Sequence, residues 1–167
     1  MDKKFSFRIK EAASVDIPQI LQLVKKLAEY EKLSTEVTAT EELFTRNGFG
    51  ENSYYKALLA ESGEGLESTA IGFALYFFTF STFKGKPTLY LEDLFVLPEY
   101  RGRGVGSKLL KQLARLALQR DCGRMEWSVL DWNEPAIKIY LGLGAQPMND
   151  WTLYRLEPAA IKKLAGK

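Results

Sequence analysis

The middle of the chain, from residue 55 to residue 96, carries three strand-like runs separated by two short breaks. The runs are 55–60, 69–80 and 88–96, and the breaks contain SGEG (62–65) and KGKP (84–87). Breaks this short favour antiparallel hairpins, since a parallel connection needs a dozen or more residues. This stretch therefore predicts an antiparallel sheet at the centre of the fold.

The segments before and after this predicted sheet contain apolar residues at helical spacing in some places and at every second position in others. Apolar residues at helical spacing predict helices, and alternating apolar residues predict strands. Helices are predicted over 16–31, 40–46, 105–119, 133–142 and 158–165, and further strands over 5–10, 124–130 and 151–156. Asp16 has the position of an N-cap, with Gln19 placed for a capping box. Asn47-Gly48 is expected to end the second helix.

This order of elements predicts a mixed fold. Three successive strands lie between helical segments, and strands and helices alternate after residue 96, so we expect an α/β or α+β fold with one largely antiparallel sheet flanked by helices. At about 100–200 residues per domain, the 167 residues correspond to a single domain, 1–167. No linker-like segment divides the chain into two halves.

Composition removes several classes of function. The 23 basic and 21 acidic residues give a net charge of +2, without the basic excess of a nucleic-acid binder. The chain has no histidine, which excludes imidazole catalysis and His-ligated zinc, and we expect no metal. Its single cysteine, Cys122, allows no internal disulfide and suggests a cytoplasmic location. The most apolar run, 71–80, is too short to cross a bilayer, so no membrane partner is expected.

The segment 101–107, RGRGVGS, lies between a buried strand and a long amphipathic helix. Glycines at this position let backbone N–H groups approach an anion, and the helix N-terminus adds about half a positive charge. A phosphate or pyrophosphate fits such a site, with Arg101 and Arg103 at its rim. The spacing matches neither the Walker A nor the Rossmann glycine motif.

This loop, following the strand segment that contains Glu92-Asp93, resembles the acetyl-CoA loop of the GNAT N-acetyltransferases. The pattern [QR]-x-x-G-x-[GA] is matched by Arg101, Gly104 and Gly106. The resemblance is closer still to the spermidine/spermine and thialysine N-acetyltransferase branch, and it covers nearly the whole chain. Supporting segments are 28–33, 48–51, 90–93, 129–135, 144–145 and 163–167.

The resemblance implies acetyl-CoA as co-substrate. Main-chain groups of the strand would hold pantetheine and polarise the thioester, as an oxyanion site does, and the loop amides would hold the pyrophosphate. The residues implied in cofactor binding are Leu94, Phe95, Val96, Arg101, Gly102, Arg103, Gly104, Val105, Gly106, Ser107, Asn133, Pro135 and Tyr140. Members of the branch are typically homodimers, and a homodimer is expected here.

An amine with a pKa of about 10.4 is almost entirely protonated at pH 7, so acetyl transfer needs a base. Glu92 and Asp93 lie in an otherwise apolar strand, where a carboxylate is costly unless paired or functional. Strand alternation predicts that they point to opposite faces. The resemblance implies that Glu92 is the base, whereas Asp93 is interpreted as a buried brace. Tyr140 is implied as the acid that protonates the thiolate; its alternative role is core packing.

By position in the branch, six residues are expected around the amine: Tyr30, Glu31, Glu92, Glu126, Trp127 and Ser128. Polyamine acetylators tend to carry an acidic residue near position 152, where this chain has Thr152, with Asp150 nearby. The missing acidic residue favours thialysine, a lysine analogue or a short diamine as the substrate. We expect this amine to attack acetyl-CoA directly, in a ternary complex. The alternatives are polyamine acetylation, acetylation of protein lysines or N-termini, and a CoA-binding regulatory module without turnover.

Overall fold

A computed structural model describes residues 5–63 and 68–167. The turn expected at 62–65 therefore lies partly outside the described residues. The chain forms two compact units, Met1–Ser128 and Val129–Lys167.

The described residues of the first unit form a five-stranded sheet and three α-helices. The strands are β1 (Phe7–Glu11), β2 (Lys56–Ser62), β3 (Thr69–Ser81), β4 (Lys86–Val96) and β5 (Arg124–Trp127). They lie in the order β1-β2-β3-β4-β5. The first four pair antiparallel, and β5 runs parallel to β4. The predicted mixed and largely antiparallel sheet is confirmed.

The helices of this unit are α1 (Ile17–Glu31), α2 (Glu41–Phe49) and α3 (Val105–Gln119). The apolar stripe of α1, which includes Ile20 and Leu27, packs on Phe73 and Phe95 of the sheet. The apolar stripe of α3 is buried too, with Leu109 and Val105 at most 1% exposed. Burial of these stripes, worth about 1.5–3 kcal/mol for each large side chain, fixes both helices to the sheet.

The predicted capping box at the start of α1 is wrong. Asp16 is the N-cap residue, but its side chain makes no cap hydrogen bond to the helix. Its carboxylate instead accepts from the Ala13 amide and from the Lys10 ammonium, both at 2.8 Å. Gln19 accepts a hydrogen bond from the Ala70 amide. A buried carboxylate is stabilised more by a cation than by a second amide, and Lys10 on β1 supplies that cation.

Two element ends differ from the sequence prediction. α2 continues through Asn47 and Gly48 and ends at Phe49. The strand predicted over 124–130 stops at Trp127, where its pairing with β4 ends. Local turn residues and hydrophobicity do not contain this information, because both ends depend on neighbouring elements.

The second unit contains α4 (Glu134–Gly142) and α5 (Pro158–Leu164). Asn133 caps α4 through a side-chain oxygen that accepts from the Ala136 amide. The strand predicted over 151–156 is not formed: these residues have no regular secondary structure. A strand is stable only beside a hydrogen-bonded partner, and no described strand pairs with this segment. In the described ranges of both units, no helix is long and apolar enough to span a membrane.

Candidate active site

The parallel strands β4 and β5 pair over only a short distance. Their pairing ends at Leu91 and Trp127, whereas β3 continues to pair with β4 as far as Val96. Alternate backbone groups of a strand point to its two sides. Over residues 92–96, about half of the N–H and C=O groups of β4 therefore face an edge where no described strand pairs. This edge includes the backbone of Leu94, Phe95 and Val96, the positions implied in holding the thioester.

A β-bulge lies in β4 at Glu92. Leu75 of β3 pairs with Asp93, yet the next residue of β3, Tyr76, pairs with Leu91, so Glu92 is an extra residue. Adjacent residues 75 and 76 of β3 face opposite sides of the sheet. Their partners on β4, Asp93 and Leu91, lie on the same sides as the residues they pair with, so they also face opposite sides. The bulge thus places Asp93 on the face of Leu75, which α1 covers. The simple alternation expected along this strand is wrong here, because the register with β3 shifts by one residue.

Three carboxylates interact electrostatically at this bulge: Glu31, the last residue of α1, with Glu92 and Asp93 of β4. The pKa of Asp93 is raised to about 7, first by burial and then by the negative charges of Glu92 and Glu31. Burial also raises the pKa of Glu31. None of the ion pairs formed by the described residues includes these carboxylates. The group therefore carries negative charge that a bound cation would neutralise.

Asp93 lacks the contacts of the buried brace that the sequence predicted. A brace would have an ionic or hydrogen-bonded partner, and Asp93 has neither an ion pair nor a hydrogen bond within the described part of the chain. The available signal was the pair of adjacent acidic residues in an apolar strand. What the sequence could not supply was the bulge, which depends on the pairing of β4 with β3.

The glycine loop has the backbone geometry that an anion site needs. Gly102 and Gly104 have φ values of 72° and 82°, in the left-handed region that side chains disfavour. A Cβ atom added at either position would have no neighbour within 4 Å, so the loop surface is open to a ligand. Gly104 is the N-cap of α3 and has no side chain to cap it. The first amides of the helix, at Val105, Gly106 and Ser107, therefore have no acceptor within the helix.

The two arginines of the loop lie against aromatic rings. The Arg101 guanidinium is 4.7 Å from the ring centre of Tyr30 and 5.5 Å from that of Phe95. Its Nε donates to the Val96 carbonyl at 2.9 Å. The Arg103 guanidinium lies 4.9 Å from the ring centre of Phe5. Arg101 thus connects the loop to the end of α1, which carries two of the residues expected around the amine.

The other residues expected around the amine lie on β5 or just after it. Glu126 forms an ion pair with Arg124 at 2.8 Å, so its charge is already balanced. Ser128 shares a 3.0 Å hydrogen bond with the Tyr90 hydroxyl. Trp127 is the last residue of β5 and is half-buried. Three of the residues expected around the amine carry carboxylates. Glu31 and Glu92 interact electrostatically with Asp93 at the bulge, whereas Glu126 is paired with Arg124.

The second unit carries three more of the implied residues. Asn133 is the N-cap of α4, and Pro135 lies in its first turn. Tyr140 is half-buried on the same helix, and burial raises its pKa. The phenol therefore stays protonated across the neutral range, as an acid must.

No group of three or more His, Cys, Asp or Glu residues placed to hold a metal ion occurs in the described part of the chain.

Comparison with known proteins identifies the class of fold and enzyme. Residues 18–145 match the GNAT acetyltransferase family. An integron cassette protein from the mobile metagenome of V. cholerae superposes with a TM-score of 0.79 at 28% identity, over 97% of this chain and 99% of that one. The chain belongs to the GNAT family and is an acetyltransferase.

Two curated relatives indicate the branch. Thialysine N-epsilon-acetyltransferase of Bos taurus is 45% identical over 166 residues, 95% of this chain and 97% of that protein. Spermidine/spermine N(1)-acetyltransferase-like protein 1 of Homo sapiens is 34% identical over 165 residues, 95% of this chain but 24% of that longer protein. The chain is thus similar over most of its length to thialysine N-epsilon-acetyltransferase, and the resemblance read from the sequence is confirmed.

Proposed function

We propose that this acetyltransferase moves the acetyl group of acetyl-CoA to a primary amine of a small cationic substrate, by direct attack in a ternary complex. The observation that carries the proposal is the group of three carboxylates at the edge where β4 leaves β5. An ammonium entering there relieves the repulsion between like charges. The same strand leads directly into the glycine loop, so amine and phosphate sites lie along one continuous segment.

The fit to acetyl-CoA rests on the glycine loop. Its open surface and left-handed glycines let backbone amides approach a pyrophosphate, which the N-terminus of α3 favours electrostatically. The backbone of 94–96 offers polar groups at an unpaired edge to the pantetheine arm and the thioester carbonyl. Bound acetyl-CoA would supply the activated acetyl group, and the protein's residues would bind the two substrates and transfer the protons.

Two side-chain tasks complete the reaction. The Glu92–Asp93 pair accepts the proton that must leave the ammonium, and Tyr140 donates a proton to the departing thiolate. The raised pKa of Tyr140 keeps the donor protonated. Asn133 and Pro135 shape the start of the helix that carries Tyr140.

The proposed amine is thialysine, another lysine analogue or a short diamine. The high identity to a protein named for thialysine supports this choice. Thr152 supports it further, because it offers no carboxylate for the distal ammonium of a longer polyamine. Polyamine acetylation is the second candidate, favoured by the relative named for spermidine and spermine.

A panel of amines tests the proposed function. CoA thiol release from acetyl-CoA would be measured with thialysine, lysine, a short diamine, spermidine, spermine and a lysine-containing peptide. We expect the highest kcat/KM for thialysine or the short diamine. Highest kcat/KM on spermine would support the second candidate, and thiol release with none of these amines would contradict the proposal.

We also propose that the protein acts in the cytoplasm as a homodimer in which residues 1–167 of each chain form one domain. Support for the single domain comes from the family match, which runs from 18 to 145 across the boundary between Ser128 and Val129.

A further inference from the structure

We propose that Asp93, rather than Glu92, is the carboxylate that takes the proton from the substrate amine, and that Glu92 helps to hold the cation. This inference rests on the proposed function and names the base within it. Glu92 and Asp93 are adjacent in sequence, so the choice between them depends on how the bulge separates their surroundings.

The bulge gives the two carboxylates different environments. Glu92 is the extra residue of β4 and is exposed, whereas Asp93 is half-buried on the face that α1 covers. The β3 neighbour of Asp93 is Leu75, an uncharged side chain. Asp93 is therefore the less solvated of the two residues, although it is not fully buried.

The charges around Asp93 all have the same sign. Glu92 lies beside it on β4, and Glu31 approaches from the end of α1. Arg101 of the loop donates to the Val96 carbonyl and stacks on Tyr30, and among the described residues it forms no ion pair with Asp93. Proton uptake at Asp93 is thus favoured by burial and by both neighbours.

The resulting basicity suits the reaction. An ordinary carboxylate, with a pKa near 4, is a weaker base than an amine of pKa 10.4 by about six powers of ten. The pKa of Asp93, about 7, reduces that gap to about three powers of ten. Near pH 7 about half of the molecules still have Asp93 ionised and ready to accept. A base is most effective when its pKa lies near the working pH.

The proton balance is complete. One N–H bond of the ammonium breaks as an O–H bond forms on the Asp93 carboxylate, and the freed nitrogen lone pair attacks the thioester carbonyl carbon. As the C–S bond breaks, sulfur takes the proton of Tyr140, and the second proton of the attacking nitrogen restores Tyr140 through water. Asp93 then returns its proton to solvent, so each acetyl transfer releases one proton.

The pH dependence of kcat/KM, which reports groups of the free enzyme, distinguishes the two carboxylates. The wild type should show activity rising with pH through about 7, because Asp93 must be ionised to accept a proton. Asp93→Asn should abolish this rise in kcat/KM with pH and lower turnover by about 10²–10⁴-fold. Glu92→Gln should retain the rise in kcat/KM but shift it to lower pH, because one repelling charge is gone. Glu31→Gln is the matched control and should shift the rise in the same direction.

The inference would be overturned if the rise in kcat/KM with pH were retained in Asp93→Asn and lost in Glu92→Gln. Titration of the free protein by carbon-13 NMR, with the Asp93 signal assigned from its loss in Asp93→Asn, gives a reading that needs no turnover. A midpoint near 7 is expected, and a midpoint near 4 would overturn the inference. A wild type inactive on every amine would instead contradict the proposed function itself, whereas an active wild type with an unchanged Asp93→Asn profile contradicts only this choice of base.

Discussion

The proposed chemistry depends on two partly buried polar side chains. Asp93 and Tyr140 are both half-buried, and burial raises the pKa of each. For the carboxyl, a pKa of about 7 suits the proposed role of base, and for the phenol a raised pKa suits the proposed role of acid. Burial can favour opposite roles because a carboxyl starts from a low pKa and a phenol from a high one.

Replacing the proposed acid should slow the chemistry without loosening the cofactor. Tyr140→Phe removes the donated proton and keeps the ring, so kcat should fall by about 10²–10⁴-fold. The dissociation constant of CoA, measured by calorimetry, should change little. Near-normal turnover in this variant would show that Tyr140 only packs against its neighbours.

The raised pKa of Asp93 also has a cost in stability. The folded pKa of Asp93, about 7, lies above the ordinary aspartic acid pKa of 3.8, so the folded state holds the proton more tightly than the unfolded state does. The stabilisation is complete below about pH 4 and is lost as pH rises through about 7. Asp93→Asn should therefore be more stable than the wild type at pH 8, by about 1–2 kcal/mol after allowance for screening by solvent.

Thermal unfolding at pH 4 and pH 8 would check this difference, which should shrink at the lower pH. A wild type as stable as Asp93→Asn at pH 8 would mean that the carboxyl is not destabilised in the folded protein. Glu29→Gln, at an exposed position on α1 where Lys26 is the partner, is a control and should change stability by less than about 0.5 kcal/mol.

At the scale of elements, sequence patterns predicted what depends on local burial. The spacing of apolar residues gave α1, α3 and the strands β2–β4, because a buried face imposes its own period. The bulge at Glu92 could not be predicted, since it arises from the register of β4 against β3. The Asp16 carboxylate was likewise misassigned, because its partner Lys10 comes from a neighbouring strand. Segment 151–156 has the strand pattern but lacks a paired strand.

One glycine of the loop allows a larger side chain to be added without forcing a strained backbone conformation. At Gly106, φ is not in the left-handed region, and an added Cβ would make only an ordinary 3.8 Å contact with Val96. The family pattern accepts alanine at this position, so the test needs a larger side chain. Gly106→Leu should fold normally and gain up to about 1 kcal/mol of stability from better helix propensity. Its side chain would stand beside the amides proposed to face the pyrophosphate, so calorimetry should show weaker CoA binding.

Gly142→Leu provides the matched control, because it adds the same side chain to a helical glycine with open space around it. CoA binding should be unchanged in this variant. Equal CoA affinity in Gly106→Leu and the wild type would contradict the placement of the pyrophosphate at this loop.

At the scale of the whole molecule, the proposed amine and phosphate sites both lie along β4 and the loop that follows it. The strand carries the carboxylates at its bulge, the unpaired backbone beyond Leu91, and the entry into the loop. Arg101 ties that loop back to Tyr30 at the end of α1. Changes in the cofactor loop should therefore be felt at the amine site through a direct contact.

The assembly proposed here has measurable consequences. If the two units form one domain, calorimetric unfolding should show a single transition with equal calorimetric and van't Hoff enthalpies. Light scattering should give about twice the chain mass of 18.9 kDa. Two separate transitions would show that Met1–Ser128 and Val129–Lys167 unfold independently, and a monomeric mass would contradict the dimer.

The most direct test of the central claim follows the acetyl group itself. The protein would be mixed with thialysine and acetyl-CoA carrying a carbon-13-labelled acetyl group, and thiol release and product mass would be recorded together. The account predicts one labelled N-acetyl product for each thiol released, and no labelled protein when the amine is left out. Thiol release without an acetylated amine, or a labelled enzyme in the absence of the amine, would contradict direct transfer to the amine.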